Sequence, residues 1–390
     1  MSGLTQPRTV PLIGFYALYF GALGVTLPFF PLYLRGLSLS GKQIGVLLAL
    51  IPLFSLVAPP VWGHLADRLG RPDLVLRLVS FGAFAGFAPL LVVTRFASLI
   101  AVVAVYAFFA SSVIPVIDSI ALEQVARSGG NYSRIRLFGS LAFVFSSAAF
   151  GFLFPAVDRM TVVVPLCLIG GYFAWSGTLS SRRASTAVLH PLAGFRLLRQ
   201  QELAILLGAA CLHWIACAPF HGSFSIHVRS LGLASSVVGI SAGLGVLAES
   251  GVMFLYPRFA ERIAPRHLLF LAFAISGLRW IGMSLVKESL PIILLSLLHG
   301  MTFGAFYVAS IAFLGSRVPA ALRTSGQALF ASVTFGLGGL VGYLLSGVGY
   351  DAFGGHRLFA FAAMIEFVAA GLVLRAKPAT SSQTSVRAFP

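Results

Sequence analysis

Apolar residues in this chain run in blocks of about twenty, each long enough to cross a bilayer as a helix. Short turns marked by Gly, Pro or a charge separate them, and no strand pattern appears. Twelve such blocks are predicted, at about 11–34, 43–65, 73–94, 98–124, 135–155, 160–180, 203–228, 235–257, 267–286, 290–315, 324–348 and 353–374. One connection is different. The stretch from Arg182 to Gln201 is polar, contains Pro191 and carries four arginines, and it leaves six spans on either side.

Composition supports the pattern. The chain has 390 residues, 58% of them hydrophobic and 10% charged, with a mean hydropathy of +0.94. A soluble domain of that balance would have too little charge to cover its outside. The net charge of +16 is scattered over short loops, not massed on one face, so it reads as a topology signal and not as a nucleic-acid footprint. Cys167, Cys211 and Cys217 all fall within apolar spans, without metal-type spacing, so neither a disulfide framework nor a zinc site is expected. The first ten residues hold one Arg and no small-residue cleavage site, and no removable signal peptide is expected.

Lys and Arg orient the spans. With both termini in the cytoplasm, 19 of the 27 fall in cytoplasmic segments, seven in outer loops, and Arg279 within the membrane. The halves also echo each other. Gly63-His64-Leu65-Ala66-Asp67-Arg68-Leu69-Gly70-Arg71-Pro72 follows span 2, and Tyr256-Pro257-Arg258-Phe259-Ala260-Glu261-Arg262-Ile263-Ala264-Pro265-Arg266 follows span 8. In each, an acid–Arg pair follows an Ala and precedes another Arg. Such an internal repeat belongs to transporters built from two bundles around a site between them.

Three ionisable residues lie in the middle of consecutive spans: Glu249, Arg279 and His299. A charge at that depth costs at least ~2.5–3.5 kcal/mol, and chains keep one where it faces a wet cavity or finds a partner. Glu249 could titrate and Arg279 could not, so a proton carrier in this trio is the acid or His299. A static ion pair locking helices is the bland reading of Arg279 and carries equal weight for that residue alone. In the first half Asp118 on span 4 and Arg136 at the start of span 5 are expected to pair. That pair either binds a polar group of a solute or pins two helices. His213, His221 and His227 share span 7; the first two stand about 12 Å apart along the helix, too far for one metal. Glu123 is expected to pair with Arg127 or Arg134 near a loop. Glu366 has no partner that the sequence reveals.

The segment from Gly63 to Pro72 resembles the loop signature of the major facilitator superfamily, Gly-x-x-x-Asp-Arg-x-Gly-Arg. Within that superfamily the chain is similar to the phenylpropionate permease group, related to lactose permease. The likeness runs through Tyr19-Phe20, Leu27-Pro28-Phe29, Pro115, Asp118, Arg136-Leu137-Phe138-Gly139, Gly245 to Glu249, Leu278-Arg279-Trp280 and Leu298-His299-Gly300. It implies two six-helix bundles, 1–181 and 202–378, joined by a cytoplasmic loop 182–201 and followed by a disordered tail 379–390. It further implies Glu249, His299 and Arg279 as proton-coupling residues. Solute contacts are expected from Arg279, Asp118, Arg136, His213 and Tyr19, and a conformational latch from Asp67, Arg68, Arg71, Glu261 and Arg262. One position departs from the pattern: lactose permease has an acid one turn beyond its span-10 histidine, where this chain has Thr302.

No phosphate-binding glycine motif stands in the right context, and no nucleophile is set beside a base, so neither ATP-driven transport nor hydrolysis is indicated. The expected function is a proton-coupled symporter of the bacterial inner membrane, acting as a monomer, without cofactor or metal. Its partners are a small-molecule solute, protons and the bilayer. The solute class read from the resemblance and the two arginines is an aromatic carboxylate. A sugar or nucleoside symporter is the alternative, and a non-transporting receptor or intramembrane enzyme is the alternative of another class. The charge bias places residue 185 in the cytoplasm. A single cysteine in place of Ser185, with the native cysteines removed, is therefore expected to resist impermeant thiol reagents in intact cells; ready labelling would invert the topology.

Overall fold

The computed structural model of the chain describes residues 9–128, 131–181, 197, 199–259, 262–319 and 322–377. Among these residues there are helices and no strands. The helices are α1 (Thr9–Gly36), α2 (Gly41–Leu69), α3 (Pro72–Leu91, its last turn 3-10), α4 (Phe96–Ser128), α5 (Tyr132–Leu153) and α6 (Met160–Ser176). They continue with α7 (Gln201–Ser230), α8 (Ser235–Phe259), α9 (Pro265–Leu285) and α10 (Ser289–Gly315). The final helical run, Arg323–Val373, is two spans joined at Gly354, whose φ of 72° and ψ of 173° break it into α11 (323–353) and α12 (355–373). A loop is expected from the sequence at 349–352, but those residues are helical and the reversal is confined to one glycine, the residue that adopts positive φ without strain. Most of the 182–201 loop, Glu261 of the expected latch and the 379–390 tail lie outside the described residues.

Local chemistry starts the helices where the turns predict. Ser40 caps α2 by accepting from the Gln43 backbone N–H at 3.2 Å, and the Gln43 side chain returns the bond to the Ser40 N–H at 2.9 Å. Asn131 caps α5 by accepting from the Arg134 N–H at 3.1 Å. Gly70, at φ 60°, closes α2 before Pro72 opens α3.

The described residues pack as two compact units, those within 1–188 and 224–243, and those within 189–223 and 244–390. In the first, α1 lies on α5 and α6, and α4 on α2 and α3. The segment 224–243 joins this unit through Ser235, whose hydroxyl donates to the Pro155 carbonyl, and through Gly239, whose carbonyl accepts from Ser147. In the second unit α9 packs against residues 339–373 and against α10. Its core includes Leu206 and Ala210 of α7, Phe273 of α9, Phe306 and Phe313 of α10, and Ala369 of α12. Large apolar side chains such as Phe145, Phe254 and Leu285 stay exposed on the helices, as a lipid-facing surface requires. Lipid is as apolar as leucine, so helix association here rests on close van der Waals packing and buried polar contacts.

One close approach sets up the second unit's polar interior. A Cβ on Gly300 of α10 would stand 2.8 Å from the Ala248 carbonyl oxygen of α8, and one on Gly304 would stand 3.0 Å from that of Glu249. Neither backbone can yield without separating the helices. Gly300→Ala is therefore expected to lower stability by about 1–3 kcal/mol, the range for overpacking a close-packed site. Gly251→Ala, whose added methyl meets nothing within 4 Å, is the control. Thermal unfolding in detergent checks the pair; equal melting points would show that α8 and α10 have room to spare.

Candidate functional site

The polar interior of the second unit is assembled from five helices. On α7, His213, Cys217 and Phe220 follow one another at intervals of four and three, so they share a face. α9 supplies Arg279 and Trp280, α10 supplies His299, Thr302 and Phe303, α12 supplies Glu366, and α8 supplies Glu249. Directly after His299, α10 widens into a π-helical turn, Gly300–Ala305, a distortion frequent at functional sites.

Arg279 is fully buried. Its NH1 donates to His299 Nδ1 at 3.3 Å and to Thr302 Oγ1 at 3.3 Å. The guanidinium carbon lies 4.3 Å from the centre of the Phe220 ring and 4.5 Å from that of Trp280, so aromatic faces take up part of its charge. Its Nε and NH2 have no hydrogen-bond partner among the described residues. Because the guanidinium is always a donor, His299 Nδ1 accepts, and the proton of the neutral ring sits on Nε2. That nitrogen points at Glu249 Oε2, 3.7 Å away. The trio that the sequence predicts is thus brought together, with His299 standing between the arginine and the acid. Glu249 and His299 form its more open side, with side chains 22% and 11% exposed.

Behind this lies an arrangement that the sequence does not predict. His213 Nδ1 faces Glu366 Oε2 at 2.8 Å, and His213 Nε2 faces the Thr302 carbonyl oxygen at 2.9 Å. Trp280 Nε1 donates to Glu366 Oε1 at 3.1 Å, and the Cys217 thiol lies 4.0 Å from the same oxygen. Glu366, without a partner on the sequence reading, therefore has three neighbours. His213, expected to touch the solute, has no exposed surface and directs both ring nitrogens at protein atoms. The signal that could have found the pair is the burial cost of an intramembrane acid, which demands a partner among the buried donors.

His213, Cys217 and Glu366 also hold ligand atoms within 4.8 Å of one another, although the expectation was that no metal group would form. On α7, His221 lies too far from His213 to share an ion, but Cys217 is one helical turn from it. The donor set is nevertheless poorly arranged for an ion. The thiol lies 3.7 Å from Nε2 and the carboxylate on the Nδ1 side, and each ring nitrogen already has its own oxygen. One ion cannot use both nitrogens of one ring.

In the first unit Tyr16 donates to Asp118 Oδ1 at 2.5 Å. Arg136 lies 3.7 Å above the Phe20 ring and 5.8 Å from that of Tyr16. Asp118 and Arg136 thus meet the aromatic residues of α1 rather than each other, which corrects the expected direct pair. Tyr19 packs edge-on against Phe20 and tilts onto Tyr172. Near the loop, Glu123 pairs with Arg127 at 2.5 Å, as expected, and also accepts from Ser181. At the α2–α3 turn Arg71 engages Asp73 through two parallel bonds of 3.0 and 3.1 Å. These bonds hold the Arg71 guanidinium above its ordinary pKa. Asp73, absent from the expected latch, is thus its partner, while Asp67 and Arg68 lie in the last turn of α2 and Arg262 just beyond α8.

The chain is similar to known transporters over most of its length. The chain is 26% identical to the maltose permease of Geobacillus stearothermophilus, over 88% of the chain and 89% of the relative. It is 28% identical to the probable 3-phenylpropionic acid transporter of Escherichia coli (strain K12), over 90% and 94%, and 26% identical to the lactose permease of Citrobacter freundii, over 71% and 72%. Among solved structures, the nucleoside transporter NupG matches with a TM-score of 0.87 at 16% identity, over 95% of this chain and 98% of that one, which establishes the fold of twelve helices in two bundles. The family model for the MFS_1 like family matches residues 10–361. The chain belongs to that family, and is an integral membrane secondary transporter of the major facilitator superfamily, not an enzyme.

Proposed function

We propose that the chain is a proton-coupled symporter that imports an aromatic carboxylate of phenylpropionate type by alternating access. It resides in the inner membrane with both termini cytoplasmic and works as a monomer. The observation that carries this reading is Arg279, whose Nε and NH2 are buried without partners among the described residues. Two donors on one guanidinium match the two oxygens of a carboxylate. The rings of Phe220 and Trp280 beside it, with Phe303 stacked on His299, provide flat apolar surface for an aryl group.

Charge balance then couples the solute to a proton. A carboxylate arriving past Glu249 meets a like charge unless that acid is protonated. Protonated Glu249 lets the anion reach the Arg279 field, and the loaded site then carries no added net charge. His299, with its Nε2 proton turned to Glu249, conveys the state of the acid to Arg279. Asp118, Arg136 and Tyr19 of the first unit serve as further solute contacts. Asp67, Arg68, Arg71, Glu261 and Arg262 serve as the latch that governs switching. His213 supports the site from behind.

A sugar or nucleoside substrate is the second reading, favoured by the maltose and lactose permeases among the relatives. Proteoliposome uptake of radiolabelled 3-phenylpropionate, maltose and uridine under an inward proton gradient separates the two readings. Accumulation of the neutral solutes alone would overturn the carboxylate reading.

Glu249→Gln mimics the protonated acid permanently. It is expected to abolish gradient-driven accumulation while retaining solute exchange across the membrane. Concentrative uptake by this variant would mean that another group carries the proton. Arg279→Lys keeps the charge but loses the fork, and an ammonium cannot offer both oxygens parallel bonds. Loss of one charge-assisted bond, about 1.5–3 kcal/mol, predicts a roughly ten- to hundredfold weaker Kd for 3-phenylpropionate. Isothermal titration checks it, and unchanged affinity would remove Arg279 from the solute.

A further inference from the structure

The mechanism above makes no use of the bond between His213 and Glu366, yet its hydrogen positions are dictated by its surroundings. The Thr302 carbonyl can only accept, so His213 Nε2 carries a hydrogen. On the other side of the ring, Nδ1 and Glu366 Oε2 are 2.8 Å apart. Two lone pairs do not sit at that distance, so one proton lies between them. It belongs either to the carboxyl or to an imidazolium, and in both cases the pair is neutral overall. The pair therefore holds one removable proton, fully buried, in the middle of the bundle.

The pair is also tied to Arg279 through a single residue. Thr302 accepts from His213 with its carbonyl and from Arg279 with its hydroxyl. Among the described residues, the other ionisable groups around it are Cys217 and His221 on α7, Arg279 on α9, His299 on α10 and, beyond His299, Glu249 on α8. Arg279 is the one permanent charge in this set, and because the pair is neutral it does not balance that charge. Loss of the proton would turn the pair into an anion close to an uncompensated cation. Electrostatics favours that loss when Arg279 has no other counter-ion, and opposes it when an anion already occupies Arg279.

We propose that the His213–Glu366 pair is a second proton-binding site of the transport cycle, holding its proton more firmly when an anion sits on Arg279 and releasing it more readily when Arg279 lacks one. The step is a plain proton exchange. The proton leaves the Nδ1–Oε2 bond for water admitted as the bundle opens, which also parts or bridges the two lone pairs left facing each other, and it returns from water on the other side with no other covalent bond changed. Glu249 then answers the arriving solute at the open side, and the buried pair answers the occupied arginine. The coupling to solute rests on the carboxylate reading above; the existence of a proton on the pair does not.

The test has two arms. Without solute, infrared difference spectra of the purified transporter are recorded across pH for wild type, Glu366→Gln and Arg279→Gln. One titrating carboxyl signal should vanish in Glu366→Gln, and at a fixed pH its protonated fraction should change in Arg279→Gln. If Glu366→Gln does not fold, Glu366→Asp keeps the acid and should displace the same signal. A spectrum in which no carboxyl signal follows residue 366, or in which that signal ignores Arg279, overturns the proposal. In the second arm 3-phenylpropionate is added and proton uptake is followed with a pH dye. Uptake should fall to roughly half of wild type in Glu366→Gln and likewise in Glu249→Gln, with the solute still bound. Full uptake in Glu366→Gln would make the pair a fixed tie between α7 and α12. Absence of phenylpropionate binding in wild type would instead sink the carboxylate reading and leave the first arm to decide the pair.

Discussion

Arg279 keeps its charge at every physiological pH and has no exposed surface, so everything around it must answer a permanent cation in an apolar medium. An isolated buried charge of this kind costs several kcal/mol after relaxation. The chain spreads the answer over several weaker interactions: two aromatic faces, a histidine nitrogen, a threonine hydroxyl. None of these is an anion in direct contact, and two of the guanidinium nitrogens remain without partners among the described residues. These two donors support the solute-binding role proposed for Arg279.

The same residue organises the polar chain behind it. His299 is oriented by the guanidinium and turns its own proton toward Glu249. Thr302 uses its hydroxyl on one side and its carbonyl on the other, a division of labour possible because a carbonyl keeps a second lone pair beyond its helical bond. From Glu249 to Trp280 the contacts run through five helices of one unit, so a change of charge at any member is felt by the rest.

Much of this was legible before any coordinates. Runs of apolar residues reveal helices, and a charge in the middle of a run reveals depth. Glu249, Arg279 and His299 lie on consecutive helices, and they do converge. What sequence order cannot supply is which non-consecutive helices are neighbours. Glu366 on α12 and His213 on α7 are 153 residues apart, and nothing in their local sequence announces a meeting. The expected Asp118–Arg136 pair fails for a related reason. Both residues lie at plausible depths on adjacent helices, but α1 brings Tyr16 and Phe20 to them, and aromatic groups from elsewhere satisfy each charge separately. Gly354 marks the limit at the smallest scale: one left-handed residue replaces a whole predicted loop.

Cys217 has a practical bearing on how such a transporter is studied. Labelling and spin-probe work commonly begins by stripping out native thiols, on the view that a small apolar cysteine in a membrane helix is a bystander. Here its sulfur touches both members of the proton-sharing pair, 3.7 Å from the imidazole and 4.0 Å from the carboxyl oxygen. Alanine at this place leaves a void beside a buried acid, and serine offers a stronger but shorter-reaching donor to the same oxygen. A thiol-free protein is thus a variant of the polar network, and each cysteine-reporter experiment inherits whatever that replacement does.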